Sequence, residues 1–171
     1  MKRSNLLLTC LALAIVVVAK LAGPAVAGVP LPFKGSMEGV HVSRTPLDPP
    51  QFFDVFEYTG EATYLGRFEM VIEATVNFGT RPVTGAGTVT FTAANGDTLV
   101  AAIAGSSALV SPGVVLITEQ GTIDPDRSTG RFAGATGTFT IERLADAATG
   151  VTGVTTGSFE GTVSLATPGN R

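Results

Sequence analysis

Apolar and polar residues alternate along most of the chain after residue 27, and the alternation is longest at 67–78. One side of this segment carries Phe68, Met70, Ile72, Ala74, Val76 and Phe78, and the other carries Arg67, Glu69, Glu73, Thr75 and Asn77. Successive side chains of an extended chain point to opposite faces, so a period of two predicts a strand with one buried face. We therefore expect a long strand over 67–78.

The same alternation, in a part of the chain rich in Gly and Thr, predicts strands throughout. Seven further strands are predicted at 34–43, 53–64, 84–93, 98–106, 113–123, 130–143 and 152–165. Pro, Gly, Asn and Asp mark the connections between them, and each connection is too short for a crossover helix. Neighbouring strands are therefore expected to pair antiparallel.

The connection at Asn95-Gly96 allows two registers. A two-residue loop would place Leu99 on a face formed by threonines, which conflicts with the apolar pattern. A three-residue loop of Ala94, Asn95 and Gly96, with glycine at the left-handed bulge position, pairs Phe91 with Leu99 on one apolar face. The three-residue loop is the register that we predict.

Eight consecutive strands with short connections can close into a barrel or split into a sandwich, and the even connections favour closure. The predicted fold class is all-β, a single closed antiparallel eight-stranded barrel. A barrel of this strand number is either filled by its own side chains or just wide enough for one small ligand. The sequence leaves both alternatives for the interior open.

The first 27 residues have the organisation of a secretion signal. Positive charge at Lys2 and Arg3 precedes an apolar run at 6–19, and Pro24 precedes the small-x-small sequence that ends at Ala27. Cleavage after Ala27 is predicted, which leaves a barrel domain at 28–171 in the periplasm or outside the cell. A membrane anchor is the alternative, but the run is shorter than the roughly 20 residues that cross a bilayer, and Lys20 interrupts it.

Composition narrows the possible functions of the predicted domain. The single cysteine, Cys10, falls in the leader, so no disulfide, cysteine-ligated metal or cysteine nucleophile is expected after cleavage. Removal of the three basic leader residues leaves eight basic and fourteen acidic side chains, a formal charge of −6. No nucleic acid partner, and no membrane partner after cleavage, is expected for such a chain. One histidine excludes a two-histidine metal site, and neither a metal nor a cofactor is predicted.

Three stretches, at 60–68, 91–97 and 129–137, resemble bacterial exported proteins of the allene oxide cyclase-like barrel group. The third, around Thr129-Gly130-Arg131-Phe132, is also similar to a glycine-rich turn of plant dirigent proteins, which share that barrel. The matching positions are turn glycines and packing aromatics. The resemblance therefore implies a fold, and no catalytic position of either group is carried over to this chain.

The candidate ligand-binding residues are Tyr58, Tyr64, Arg67 and His41. The two tyrosines and Arg67 belong to the densest group of polar functional side chains in the sequence, which could orient a ligand if it pointed into the barrel. An ordinary strand and turn is the alternative for them. His41 lies in the opposite phase to Val40 and Val42, so it is expected to face solvent.

Three functions are compatible with these observations. The first is a non-enzymatic barrel outside the cytoplasm that is either structural or holds a small apolar molecule. The second is an isomerase or cyclase in which an apolar cavity folds a flexible substrate and excludes water. The third is an envelope interaction module. The glycine-rich, alternating strands are also compatible with edge pairing into a homo-oligomer, a dimer or trimer.

Overall fold

The computed structural model describes residues 28–146 and 153–166. They form eight strands in chain order: β1 Leu31–Pro46, β2 Gln51–Ala62, β3 Gly66–Asn77, β4 Val83–Ala93, β5 Thr98–Ser111, β6 Val114–Ile123, β7 Thr136–Asp146 and β8 Val154–Ser164. Each strand pairs antiparallel with its neighbours, and β8 pairs with β1, so the sheet closes. The all-β closed barrel is confirmed, whereas the predicted leader and the cleavage after Ala27 lie outside the described residues.

Strand β3 has the buried and exposed faces that its alternation predicts. Phe68, Met70, Ile72 and Ala74 are buried, while Glu69 is exposed on the outer surface. The barrel interior therefore receives one apolar side chain from every second position, as a period of two requires.

The β4–β5 hairpin has the predicted three-residue loop. Phe91 lies opposite Leu99 and Val89 lies opposite Ala101. Gly96 adopts a φ of +86°, the left-handed conformation that glycine reaches without a steric penalty. The register therefore places both apolar pairs on the inner face.

Five phenylalanine rings fill one half of the barrel. Phe33, Phe68, Phe91, Phe139 and Phe159 come from five different strands, and their ring centroids lie 4.8–6.1 Å apart. Most of these pairs meet edge to face, the arrangement that aligns the positive ring edge with the negative face. This half of the interior is solid hydrophobic core.

The β6–β7 connection covers the end of the phenylalanine core. The strand predicted at 130–143 is wrong in its first part, because Gly130–Phe132 form a 3-10 turn and β7 begins at Thr136. Gly130 and Gly134 both have positive φ, which bends the chain and turns the Phe132 side chain inward to full burial. Burial of this ring closes the barrel end, a tertiary interaction that outweighs the local alternation.

The connections 47–50, 78–82 and 112–113 lie at the opposite end of the barrel. Residues 147–152, between β7 and β8 in the sequence, lie outside the described residues. Within 28–146 and 153–166, no helix is long and apolar enough to span a membrane.

Candidate functional site

A cavity of about 290 Å³ occupies the half of the barrel opposite the phenylalanine core. In this half the strands contribute small residues, including Ala74, Gly85, Gly105 and Ala145. In the other half the interior is filled by aromatic rings. Apolar lining is supplied by Val76, Val83, Val115 and Ile117, and polar lining by His41, Arg44, Asp54, Glu119, Arg143 and Thr155. The interior is therefore filled at one end and hollow at the other.

Arg143 is the central polar residue of the cavity wall. Its Nε and Nη2 donate to the two carboxylate oxygens of Glu119 at 3.0 and 2.9 Å, and its Nη1 donates to the Tyr58 hydroxyl at 2.7 Å. The guanidinium carbon also lies 4.3 Å from the centroid of the Phe56 ring. A planar donor fork that matches a carboxylate in this way is the specific property of arginine.

Burial affects the ionisation of this group of residues. Burial acts to lower the pKa of Arg143, but the Glu119 carboxylate and the Tyr58 hydroxyl outweigh it, and the pKa is raised. Burial also raises the pKa of Tyr58, which the neighbouring arginine only partly offsets. Around neutral pH the arginine is therefore charged and the phenol is protonated.

His41 lies in the same cavity, stacked on Phe56 with ring centroids 4.4 Å apart. Its Nε2 donates to the Ser43 carbonyl at 3.0 Å and lies 3.5 Å from Asp54 Oδ1. Burial lowers the pKa of His41, and the Asp54 carboxylate only partly reverses this shift. The imidazole is neutral near pH 7.

A β-bulge explains how residues of both phases of β1 reach the cavity. His41 pairs with Phe56, but Ser43 pairs with Val55, so Val42 is an extra residue in β1. Such a bulge re-aims the side chains that follow it. As a result, Arg44 also turns toward the cavity, where it binds the buried Asp54 carboxylate through two hydrogen bonds of 2.8 and 2.6 Å.

Among the described residues, Thr155 has the one fully buried side-chain polar atom that lacks a hydrogen-bond partner. It is 1% exposed, and within the described part of the chain its hydroxyl makes no hydrogen bond. Thr155 lowers the pKa of the neighbouring Tyr58 hydroxyl, but the two hydroxyls do not meet the geometry of a hydrogen bond. This hydroxyl is therefore a buried polar atom in the cavity wall that has no partner among the described residues.

The four residues predicted from sequence separate into two groups. His41 lines the cavity, and Tyr58 lies directly behind it, bonded to Arg143. Tyr64 is 40% exposed in the β2–β3 turn, and Arg67 is exposed on the outer surface, where it lines a shallow groove with Lys34. The structure thus brings His41 and Tyr58 to one half of the interior and leaves Tyr64 and Arg67 at the other end.

The expectation that His41 faces solvent is wrong, because the residue is only 7% exposed. Phe33 and Met37 lie on the same face of β1 as His41, and both are buried in the core. This face of the strand therefore points inward. Val40 and Val42, which indicated the opposite phase, are exposed. The burial of Phe33 and Met37 therefore determines which face of β1 points inward, and the two smaller valines near the end of the strand lie on the outer face.

Besides Arg44, which follows the bulge, three charged residues of the site were not predicted from sequence: Asp54, Glu119 and Arg143. Each lies in phase with buried apolar neighbours, as Arg143 does with Phe139 and Ile141 on β7. They could have been recognised as charged side chains at inward positions of alternating strands. A charge at such a position is rarely unpaired, so each of these residues indicates a polar group inside the barrel.

The arrangement can bind and orient a small molecule, and it offers a neutral imidazole as a proton acceptor. Among the described residues, no group of three or more His, Cys, Asp or Glu side chains could hold a metal ion. The site consists of two paired arginine and carboxylate groups, a neutral histidine and an unsatisfied hydroxyl, all set in an apolar wall.

The fold and site define a closed eight-stranded barrel with one solid and one hollow half. Comparison of the chain with protein-family models, with curated proteins and with solved structures gave no match. The resemblance to the allene oxide cyclase-like group therefore stays a prediction.

Proposed function

We propose that the domain is a small-molecule-binding barrel. It holds one mainly apolar ligand in the cavity opposite the phenylalanine core. The observation that carries this proposal is the cavity itself, since the opposite half of the same barrel is filled by aromatic rings. At about 30 Å³ for one water molecule, the cavity has the volume of about ten waters. That volume is at the small end of the range for ligand pockets.

The composition of the wall supports the same proposal. A ligand site usually combines an apolar lining with a few fixed polar groups, and here Val76, Val115 and Ile117 face Arg143 and His41. His41, Glu119 and Arg143 are held by partners within the barrel, so these side chains need little ordering when a ligand enters.

Gly85 allows a direct test because it lies in the cavity wall. A Cβ built there would meet its nearest atoms, Thr75 O and Val76 Cγ2, at an ordinary 3.6 Å. Gly85→Val and Gly85→Phe should therefore fill the cavity progressively while the barrel still folds. Ala86→Val is the matched control, because Ala86 is the next residue on β4 and faces outward.

The experiment is native mass spectrometry of these variants and the wild type, each purified from the natural organism. We expect a co-purifying small molecule with the wild type and Ala86→Val, less of it with Gly85→Val and none with Gly85→Phe. Far-UV circular dichroism verifies that each variant is folded. A wild-type protein that carries no ligand, or a ligand retained by Gly85→Phe, contradicts the proposal.

An isomerase or cyclase is the second candidate function, and the position of His41 favours it. A neutral imidazole beside Asp54 in a mostly apolar cavity can accept a proton from a bound molecule. Incubation of the co-purified molecule with wild type and His41→Gln distinguishes the two functions. Conversion by the wild type alone supports catalysis, and an unchanged molecule in both samples supports binding only.

The proposed location is outside the cytoplasm, on the basis of the leader at residues 1–27. The intact mass of protein recovered from the natural organism tests this proposal, since cleavage after Ala27 predicts a chain that begins at Gly28. The closed meander of eight strands supports the proposed likeness to the allene oxide cyclase-like and dirigent barrels. A role as an envelope interaction module, or as a homo-oligomer, is a weaker proposal that rests on composition.

A further inference from the structure

The charges that line the cavity are already paired with one another. Arg143 is bound by Glu119, and Arg44 is bound by Asp54, in both cases through two hydrogen bonds. Asp146 also lines the cavity and is exposed to solvent. A ligand with its own charge would therefore have to compete with these ion pairs for a counter-charge after losing part of its own hydration, which is unfavourable.

Thr155 supplies a buried hydroxyl that a ligand can satisfy. It is fully buried, lines the cavity and has no hydrogen-bond partner within the described part of the chain. Buried hydroxyls in native proteins nearly always have a partner, so an exception calls for a physical explanation. A bound molecule that supplies an acceptor oxygen is such an explanation.

The surroundings of Thr155 determine the kind of atom that fits. Thr155 pairs with Ala145 across β7 and β8, one inward position from Arg143, and Gly157 opposite Arg143 leaves no side chain between them. A guanidinium has five N–H groups, and Arg143 uses three of them toward Glu119 and Tyr58. This side of the cavity is therefore rich in donors, so it favours an acceptor.

We propose that the cavity selects an uncharged ligand with one acceptor oxygen, such as a ketone, ester or ether, which accepts a hydrogen bond from the Thr155 hydroxyl. The rest of the ligand is apolar and packs against Val76, Val83, Val115 and Ile117. This inference rests on the proposed function and adds the chemical class of the ligand to it.

Three planar molecules of the same shape separate the contributions of shape, acceptor and charge. Acetophenone carries a neutral carbonyl oxygen, α-methylstyrene replaces that oxygen with a methylene group, and benzoate carries a negative charge. Isothermal titration calorimetry with wild-type protein should give the tightest binding for acetophenone. The dissociation constant of α-methylstyrene should be about five-fold higher than that of acetophenone, because α-methylstyrene lacks one neutral hydrogen bond. Benzoate should bind more weakly than both.

Thr155→Val keeps the shape of the side chain and removes its hydroxyl. It should weaken acetophenone binding about five-fold and leave α-methylstyrene binding unchanged. Thr155→Ser retains a hydroxyl and should restore the preference for acetophenone. Thermal unfolding of both variants verifies the fold, and Thr155→Val should be at least as stable as the wild type, because the hydroxyl that it loses is unsatisfied.

The inference is overturned if acetophenone and α-methylstyrene bind equally, if benzoate binds tightest, or if Thr155→Val weakens both neutral probes alike. It is also overturned if none of the three probes binds while a co-purifying molecule is lost on Gly85→Phe. In that last case the proposed function stands, and only the ligand class is wrong. Failure of the proposed function is distinguishable from this case, because the wild-type protein would then carry no co-purifying molecule.

Discussion

Replacement of Arg143 by methionine should destabilise the barrel strongly. The methionine keeps most of the apolar stem but removes the guanidinium that satisfies both oxygens of Glu119 and the hydroxyl of Tyr58. Glu119 is only 6% exposed, so its carboxylate would remain in the wall without a cation. Loss of one partner of a buried ion pair typically costs about 3–5 kcal/mol of unfolding free energy.

Urea unfolding measures this loss. With a dependence of about 1–3 kcal/mol per molar urea, the midpoint of Arg143→Met should fall on the order of 2 M below that of the wild type. The protein has no tryptophan, and of its two tyrosines Tyr58 is buried and Tyr64 is exposed, so tyrosine emission together with circular dichroism follows the transition.

Two controls isolate the unpaired charge as the cause. Arg67→Met removes an exposed arginine and should change the unfolding free energy by less than about 0.5 kcal/mol. The double variant Arg143→Met/Glu119→Leu removes both charges and should recover most of the loss. An unfolding free energy for Arg143→Met within about 1 kcal/mol of the wild type would show that Arg143 does not stabilise the buried Glu119 carboxylate.

The remaining predictions concern β4 and His41. Gly87→Ala should destabilise the barrel by about 1–3 kcal/mol, because a Cβ there would overlap the Glu73 carbonyl, whereas Gly85→Ala, on the same face, should be neutral or stabilising. Thermal unfolding compares them, and equal losses would contradict the geometry. Because burial lowers the pKa of His41 below 6.5, the unfolded chain binds the proton first as pH falls, so the unfolding free energy should decrease below about pH 6.5. His41→Gln should reduce that decrease, and an unchanged pH profile would show that His41 does not cause it.

The closed barrel could be predicted from sequence because each strand is recognisable from its own alternation of apolar and polar residues. In β3 the apolar positions recur at every second residue, and in the β4–β5 hairpin the apolar pairing selected one loop length. The 3-10 turn at Gly130–Phe132 could not be predicted in this way, since its cause is the burial of Phe132 against residues far away in the sequence.

The candidate site was less predictable because it combines residues from several strands. Asp54, Glu119 and Arg143 are far apart in the sequence, and only closure of the sheet brings Arg143 into contact with Glu119 and Tyr58. The bulge at Val42 reverses the phase of β1 in its last third, which alternation alone does not reveal. The cavity depends on where small residues of different strands meet, so its volume is a property of the folded barrel.

The unequal filling of the barrel has a consequence for how this protein could change over time. The phenylalanine half supplies much of the hydrophobic stabilisation, so it can tolerate little substitution without loss of the fold. The cavity half contributes fewer apolar contacts, and neutral positions such as Gly85 border it. Substitutions there could give the barrel a different ligand while its folding continues to depend on the opposite end.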